Sequence, residues 1–185
     1  MLHMEQKSYK EEIVLELLRG DNHIRGIAKN LEISHMTVLR KLNELQKDNI
    51  VDAVSNGKNK TFFIKKNSQA KNQVYSAELY KLKKFLDNNS DLAIIFEDLK
   101  KIVKKGVIVL FGSYAKGKEK KESDIDIYMG CATKKTKQSL QEMYSKFSIK
   151  MGKFDLGSPL EKEIIKNHII IRGVEEFYEK TKFFE

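Results

Sequence analysis

The stretch Leu110-Phe111-Gly112-Ser113-Tyr114-Ala115-Lys116-Gly117, followed after five polar or charged residues by Ser123-Asp124-Ile125-Asp126, decides how this chain is read. It opens as the end of an apolar strand from Val107 to Phe111 and breaks at a Gly-Ser pair. It then resumes as a strand with carboxylates at i and i+2. Alternate strand side chains share a face, so Asp124 and Asp126 stand together about 6.6 Å apart along the strand, with Ile125 and Ile127 turned to the core. Two carboxylates beside a turn able to hold phosphate form half of a divalent-metal and nucleotide site. Gly112 permits a tight turn with close backbone approach, and Ser113 offers its hydroxyl and amide to phosphate near the start of a short helix. Lys116 either lies near that phosphate or points to solvent. Lys118, Lys120 and Lys121 either draw in a polyanion or form a solvated charge run.

Downstream, Thr136 to Phe147 reads as a helix and Ile149 to Leu156 as a further strand. Ser158-Pro159-Leu160-Glu161 is a capping box with proline at the first helical position. It launches a helix through Ile164, Ile165 and His168, and a last helical segment spans about Val174 to Phe183. The four histidines show no metal-ligand spacing, and Cys131 reads as a small buried residue. As the only cysteine it excludes an intrachain disulfide and a cysteine-based zinc site, which suits a reducing cytoplasm. No apolar run reaches the length of a membrane span, and Met1 to Lys10 lacks the apolar core of a signal peptide.

The first part of the chain has its own logic. Helical stripes run from about Tyr9 to Arg19, from His23 to Asn30, and from an N-cap at Ser34 to Lys47, where Val38, Leu42 and Leu45 mark the buried face. Two strand patterns, Ile50 to Ser55 and Lys60 to Lys65, flank Asn56-Gly57-Lys58-Asn59, a strong hairpin signal. Residues 67–72 read as a polar linker. A helix from Val74 to Asn88 follows, and then another from Ser90 to about Val103. The organisation expected is residues 1–66, a linker and bracing helix over 67–89, and a second domain over 90–185. The fold class is α+β. The 185 residues carry a net charge of +9, an attraction to polyanions. That excess is not concentrated: residues 1–75 hold 13 Lys+Arg against 9 Asp+Glu, and the rest 22 against 17.

Three helices and a hairpin resemble a winged helix-turn-helix domain. In that fold the third helix enters the major groove and the hairpin wing follows the backbone. The resemblance implies DNA contacts from His35, Met36, Thr37, Arg40 and Lys41 on the helix and from Lys58 and Lys60 on the wing. The same domain used only for dimerisation or protein contact is the alternative. The string G-S-x-A-K-G-x5-S-D-x-D resembles the signature of the DNA polymerase β-like nucleotidyltransferase superfamily, and in particular its minimal nucleotidyltransferases; Lys116 stands where that family usually has Arg.

The resemblance implies a small mixed sheet with flanking helices and a nucleotide site at Gly112, Ser113 and Lys116. It also implies two Mg²⁺ ions held by Asp124, Asp126 and a third carboxylate on a neighbouring strand, Asp155. Asp155 also precedes Leu-Gly-Ser-Pro, where an aspartate serves a turn equally well. The implied reaction transfers an NMP group from an NTP, ATP foremost, to a hydroxyl acceptor, expelling pyrophosphate. Minimal members act as antitoxins that adenylylate a HEPN-domain toxin, while relatives modify aminoglycosides or RNA ends; a macromolecular acceptor of the first kind is the expected partner, and a homodimer is what the winged-helix resemblance implies. The competing reading is a DNA-binding regulator whose second domain binds nucleotide or a partner without turnover.

Overall fold

Glu11 and Glu12 in the first turn complement the dipole of helix α1 (Tyr9–Leu18), which buries Ile13, Val14 and Leu17. A short strand β1 (Asn22–His23), absent from the sequence reading, precedes helix α2 (Ile24–Leu31). Ser34 caps helix α3 (His35–Lys47): its Oγ accepts from the Thr37 N–H at 3.0 Å, and Val38, Leu42 and Leu45 form the buried stripe. Strands β2 (Val51–Asn56) and β3 (Asn59–Ile64) pair antiparallel as the hairpin signal predicts, with Asn56 opposite Asn59 and Gly57 at φ +61°. β1 lies on the other edge of β3, giving the order β1-β3-β2. The buried Glu16 carboxylate accepts from Asn30 at 2.5 Å and Asn22 at 3.3 Å, tying α1 to α2.

Helix α4 (Ser68–Asn88) takes in most of the stretch expected to be a linker. Asn67 starts it early, its Oδ1 accepting from the Ala70 N–H at 2.8 Å, and Ala70, Val74 and Ala77 are buried along its first turns. The computed structural model describes residues 8–57 and 59–185. They divide within α4 into two compact units, one reaching Tyr80 and including Phe184–Glu185, the other Lys81–Phe183.

In the second unit helix α5 (Ser90–Ile102) leads to strand β4 (Ile108–Phe111), the single turn α6 (Gly112–Ala115) and strand β5 (Ile125–Met129). Helix α7 (Lys134–Met143), strand β6 (Phe147–Met151), helix α8 (Pro159–Lys166), strand β7 (Ile169–Arg172) and helix α9 (Val174–Thr181) follow. The sheet is mixed, in the order β6-β5-β4-β7: β4 is antiparallel to β5 and β7, and β5 is parallel to β6. Ile108, Leu110, Ile125, Ile127, Met129, Phe147 and Ile149 share a core with Leu92, Phe96 and Leu99 of α5 and Leu140 of α7.

Beside β5 an aromatic group gathers round Tyr128. Phe154 meets it edge-on at 5.5 Å between ring centroids, and Phe177 of α9 meets Phe154 at 6.2 Å. Burial pushes the Tyr128 hydroxyl up to about 12, and it donates to the Gly152 carbonyl at 2.8 Å.

Two expectations in this unit are corrected. The third strand is Phe147–Met151 rather than Ile149–Leu156, because Phe147 and Ile149 fill the core and Gly152, at φ +143°, ends the extended run. Asp155 therefore lies in the loop before α8 and not on a strand. The expected helix through His168 stops at Lys166, and Ile169–Arg172 forms β7, whose Ile169, Ile170 and Ile171 are all buried. Among the described residues no helix is long and apolar enough to cross a membrane.

Candidate functional site

The turn from β4 into α6 places Gly112 at φ +72°, a conformation side chains disfavour. A Cβ there would stand 2.1 Å from Asp126 Oδ2, so glycine is required for space as well as for backbone shape. Phe111 is the cross-strand partner of Asp126, which seats the half-buried Asp126 carboxylate against the Gly112 backbone. Ser113 follows, half-buried, and its carbonyl accepts from the N–H groups of Lys116 at 3.2 Å and Lys118 at 3.0 Å, closing the turn.

The charged loop from the turn to the carboxylates is held by its own backbone and by Ser123. Ser123 Oγ accepts from the Lys120 N–H at 2.8 Å and its own N–H donates to the Lys120 carbonyl at 2.9 Å. Lys146 Nζ donates to the Lys121 carbonyl at 2.8 Å. Lys118, Lys120 and Lys121 are exposed. Asp124, also exposed, stands one residue before β5, and Ile125 between the two aspartates is buried in the core.

Asp155 does not join the pair in a metal-holding set: among the described residues no group of three His, Cys, Asp or Glu side chains is placed to hold a metal ion. Asp155 is exposed, and its Oδ1 accepts from the Gly157 N–H at 3.0 Å, the turn role its Leu-Gly-Ser-Pro context allows. The residue beside Asp126 on the neighbouring strand is Ser148, half-buried and in direct parallel register. Two carboxylates suit one hard divalent ion that keeps water and phosphate as its other ligands; the three-carboxylate set for two ions is not assembled.

Lys116 reaches Glu163 of α8, Nζ to Oε1 2.6 Å. The hydrogen-bonded Lys116 ammonium, with its charge, holds the Glu163 carboxyl below the ordinary carboxylate range. Sequence reasoning missed the Glu163 contact, whose one signal is its place two residues beyond the Ser158–Glu161 capping box. The register of Ser148 is not readable from the sequence, whose pattern starts that strand two residues late, at Ile149. Cys131 is exposed rather than buried.

On α3 the residues expected to contact DNA differ in how free they are. His35, Met36 and Arg40 are exposed, and Arg40 has no hydrogen-bond or ion-pair partner among the described residues. The Thr37 hydroxyl bonds Ser34 at 2.9 Å, and Lys41 pairs with Glu44 at 2.6 Å. A shallow hollow along this helix is lined by Met36, Leu39, Arg40 and Asn43 among others. On the hairpin, Lys60 lies over the Phe62 ring at 5.3 Å, and Lys58 falls outside the described residues.

No curated protein and no solved structure matches the chain. Residues 95–182, from within α5 through α9, match the family model described as Polymerase beta, Nucleotidyltransferase, and that match supports placing this part of the chain in the nucleotidyltransferase superfamily.

Proposed function

We propose that the chain transfers an NMP group from an NTP, ATP foremost, to a hydroxyl of a macromolecular acceptor such as a partner toxin protein. The carrying observation is the close seat of Asp126 on Gly112, within a strand–turn–strand frame that the family model covers. In this reading the backbone at Gly112 and the hydroxyl of Ser113 receive the β- and γ-phosphates. Asp124 and Asp126 face the α-phosphate, where the acceptor oxygen attacks, a new O–P bond forms, and the bond to pyrophosphate breaks. The acceptor hydroxyl proton passes to solvent water as that oxygen attacks. Carboxylates alone would repel a triphosphate, so Asp124 and Asp126 would hold Mg²⁺, which supplies the compensating positive charge.

The decisive measurement is transfer of radiolabel from α-labelled ATP with Mg²⁺ to a partner protein or nucleic acid. Asp126→Asn and Asp124→Asn should each lower it by about a hundredfold or more, as removal of charge stabilisation in a transition state does. Label transfer that persists in the double variant places the chemistry elsewhere.

A second reading is favoured by one observation, the engagement of Asp155 in a turn. In it the chain is a DNA-binding regulator of winged-helix type, with Arg40 on α3 toward the major groove, whose second unit binds nucleotide without turnover. Nucleotide binding without label transfer to any acceptor, together with binding to a promoter fragment, distinguishes it. The two roles are compatible in one protein.

A further inference from the structure

We infer that the site takes a single divalent ion, and that Ser148 and Lys150 occupy the place a second ion and its carboxylate would need. The inference rests on the proposed nucleotide-binding function of Asp124 and Asp126. It follows from strand register. β5 has two neighbours in the sheet, so Asp126 has two lateral partners, Phe111 on β4 and Ser148 on β6. Phe111 is apolar and leads directly into Gly112. Any further ligand that the sheet supplies beside Asp126 must therefore stand at position 148, and there the chain has a neutral hydroxyl.

A serine hydroxyl is a poor substitute for a carboxylate toward a hard cation. The next residue of β6 on the Ser148 face is Lys150, in register with Tyr128. Strand spacing places it about 8 Å diagonally from Asp126, within reach of a lysine side chain. Lys150 is exposed and has no ion-pair or hydrogen-bond partner among the described residues. β6 is also the edge of the sheet, so this ammonium lies on the open side of the site. Its charge neutralises phosphate oxygens that a second ion would otherwise contact. Asp155 does not supply the missing ligand, because among the described residues no group of three His, Cys, Asp or Glu side chains is placed to hold a metal ion.

The test counts Mn²⁺ bound to the full-length chain in complex with a non-hydrolysable ATP analogue, by equilibrium dialysis with spin-resonance counting of free Mn²⁺. The wild type should hold one ion per chain. Ser148→Asp combined with Lys150→Ala should hold two, with circular dichroism confirming that the variant is folded. The exposed Lys150→Ala alone should keep one ion and bind the analogue about tenfold more weakly, as loss of one charged hydrogen bond implies. Two ions in the wild type overturn the inference and leave the nucleotide-binding reading intact. One ion in the folded double variant overturns the assignment to position 148, and unchanged affinity in Lys150→Ala removes Lys150 from the site. Neither ion nor analogue bound in the wild type overturns the nucleotide-binding reading itself, and the inference with it.

Discussion

At position 112 two demands meet in one residue. The backbone is left-handed at φ +72°, and the space where a Cβ would go is taken by the Asp126 carboxylate. Gly112→Ala should therefore cost about 1–2 kcal/mol from backbone strain alone. It should also push Asp126 off its seat. The expected outcome is a protein that folds, melts several degrees lower, and binds an ATP analogue weakly. Thermal denaturation and analogue titration on the same preparation check both halves, and unchanged binding at a lowered Tm would show that Asp126 is not the group that matters.

The frame that carries Gly112, Ser113, Asp124 and Asp126 was legible in the sequence because it lies in short spacings that a strand–turn–strand makes obligatory. The place of Ser148 beside Asp126 was not legible, since it exists only through pairing across a parallel ladder. Such pairing joins residues 22 positions apart, with a helix between them, and leaves no local trace. The strand expected around Asp155 differs for a related reason: residues 149–156 and residues 147–151 both alternate plausibly. Gly152, the residue that ends the strand, is itself silent about which side of it the strand lies.

Among the elements, α8 acts as a tether. Ser158 caps it, with the Ser158 and Glu161 side chains bonded to each other, and Pro159 takes the first helical position. Phe154 pins the loop before it against Tyr128 and Phe177. The helix then presents Glu163 to Lys116, the cation just beyond the Gly-Ser turn. Capping box and helix were readable from local chemistry; the Glu163 contact was not, because it joins α8 to a residue that sequence reasoning had assigned to nucleotide or to solvent.

The pair has a pH signature. Glu163 has a lowered folded-state pKa, caused first by its hydrogen bond to Lys116, so its contribution is fully present above the ordinary value of 4.5. It is lost as pH falls below that value and through the lowered one. Both side chains are about a third exposed, so solvent screening limits the contribution to a few tenths of a kcal/mol. Glu163→Gln should thus lower Tm slightly at pH 7 and flatten its fall between about pH 5 and pH 3 relative to wild type. Parallel curves for wild type and variant across that range would remove Lys116 as the partner that shifts Glu163.

Across the whole molecule, two units of different architecture each carry more basic than acidic residues. A change of pattern was readable in outline, from three short helices with a hairpin to a strand–helix alternation. The stretch 67–72 was not, because polar residues on a helix surface and polar residues in a linker look alike until Asn67 is seen capping α4. The basic excess is spread over both parts of the sequence, and this bears on the proposed DNA binding. Non-specific affinity comes from phosphate neutralisation wherever lysines lie, whereas sequence choice depends on base contacts. On α3, Lys41 is paired with Glu44, whereas Arg40 is exposed and has no hydrogen-bond or ion-pair partner among the described residues. Arg40→Ala should therefore lower affinity for a specific promoter site by about 1–3 kcal/mol, the value of one good base contact. It should change non-specific binding little, altering the slope of log affinity against log salt by about one at most. Gel-shift titrations of the full chain on specific and random duplexes, each at several salt concentrations, separate the two effects. An equal loss on both duplexes would make Arg40 a phosphate contact, and no loss on either would move the DNA-binding surface away from α3.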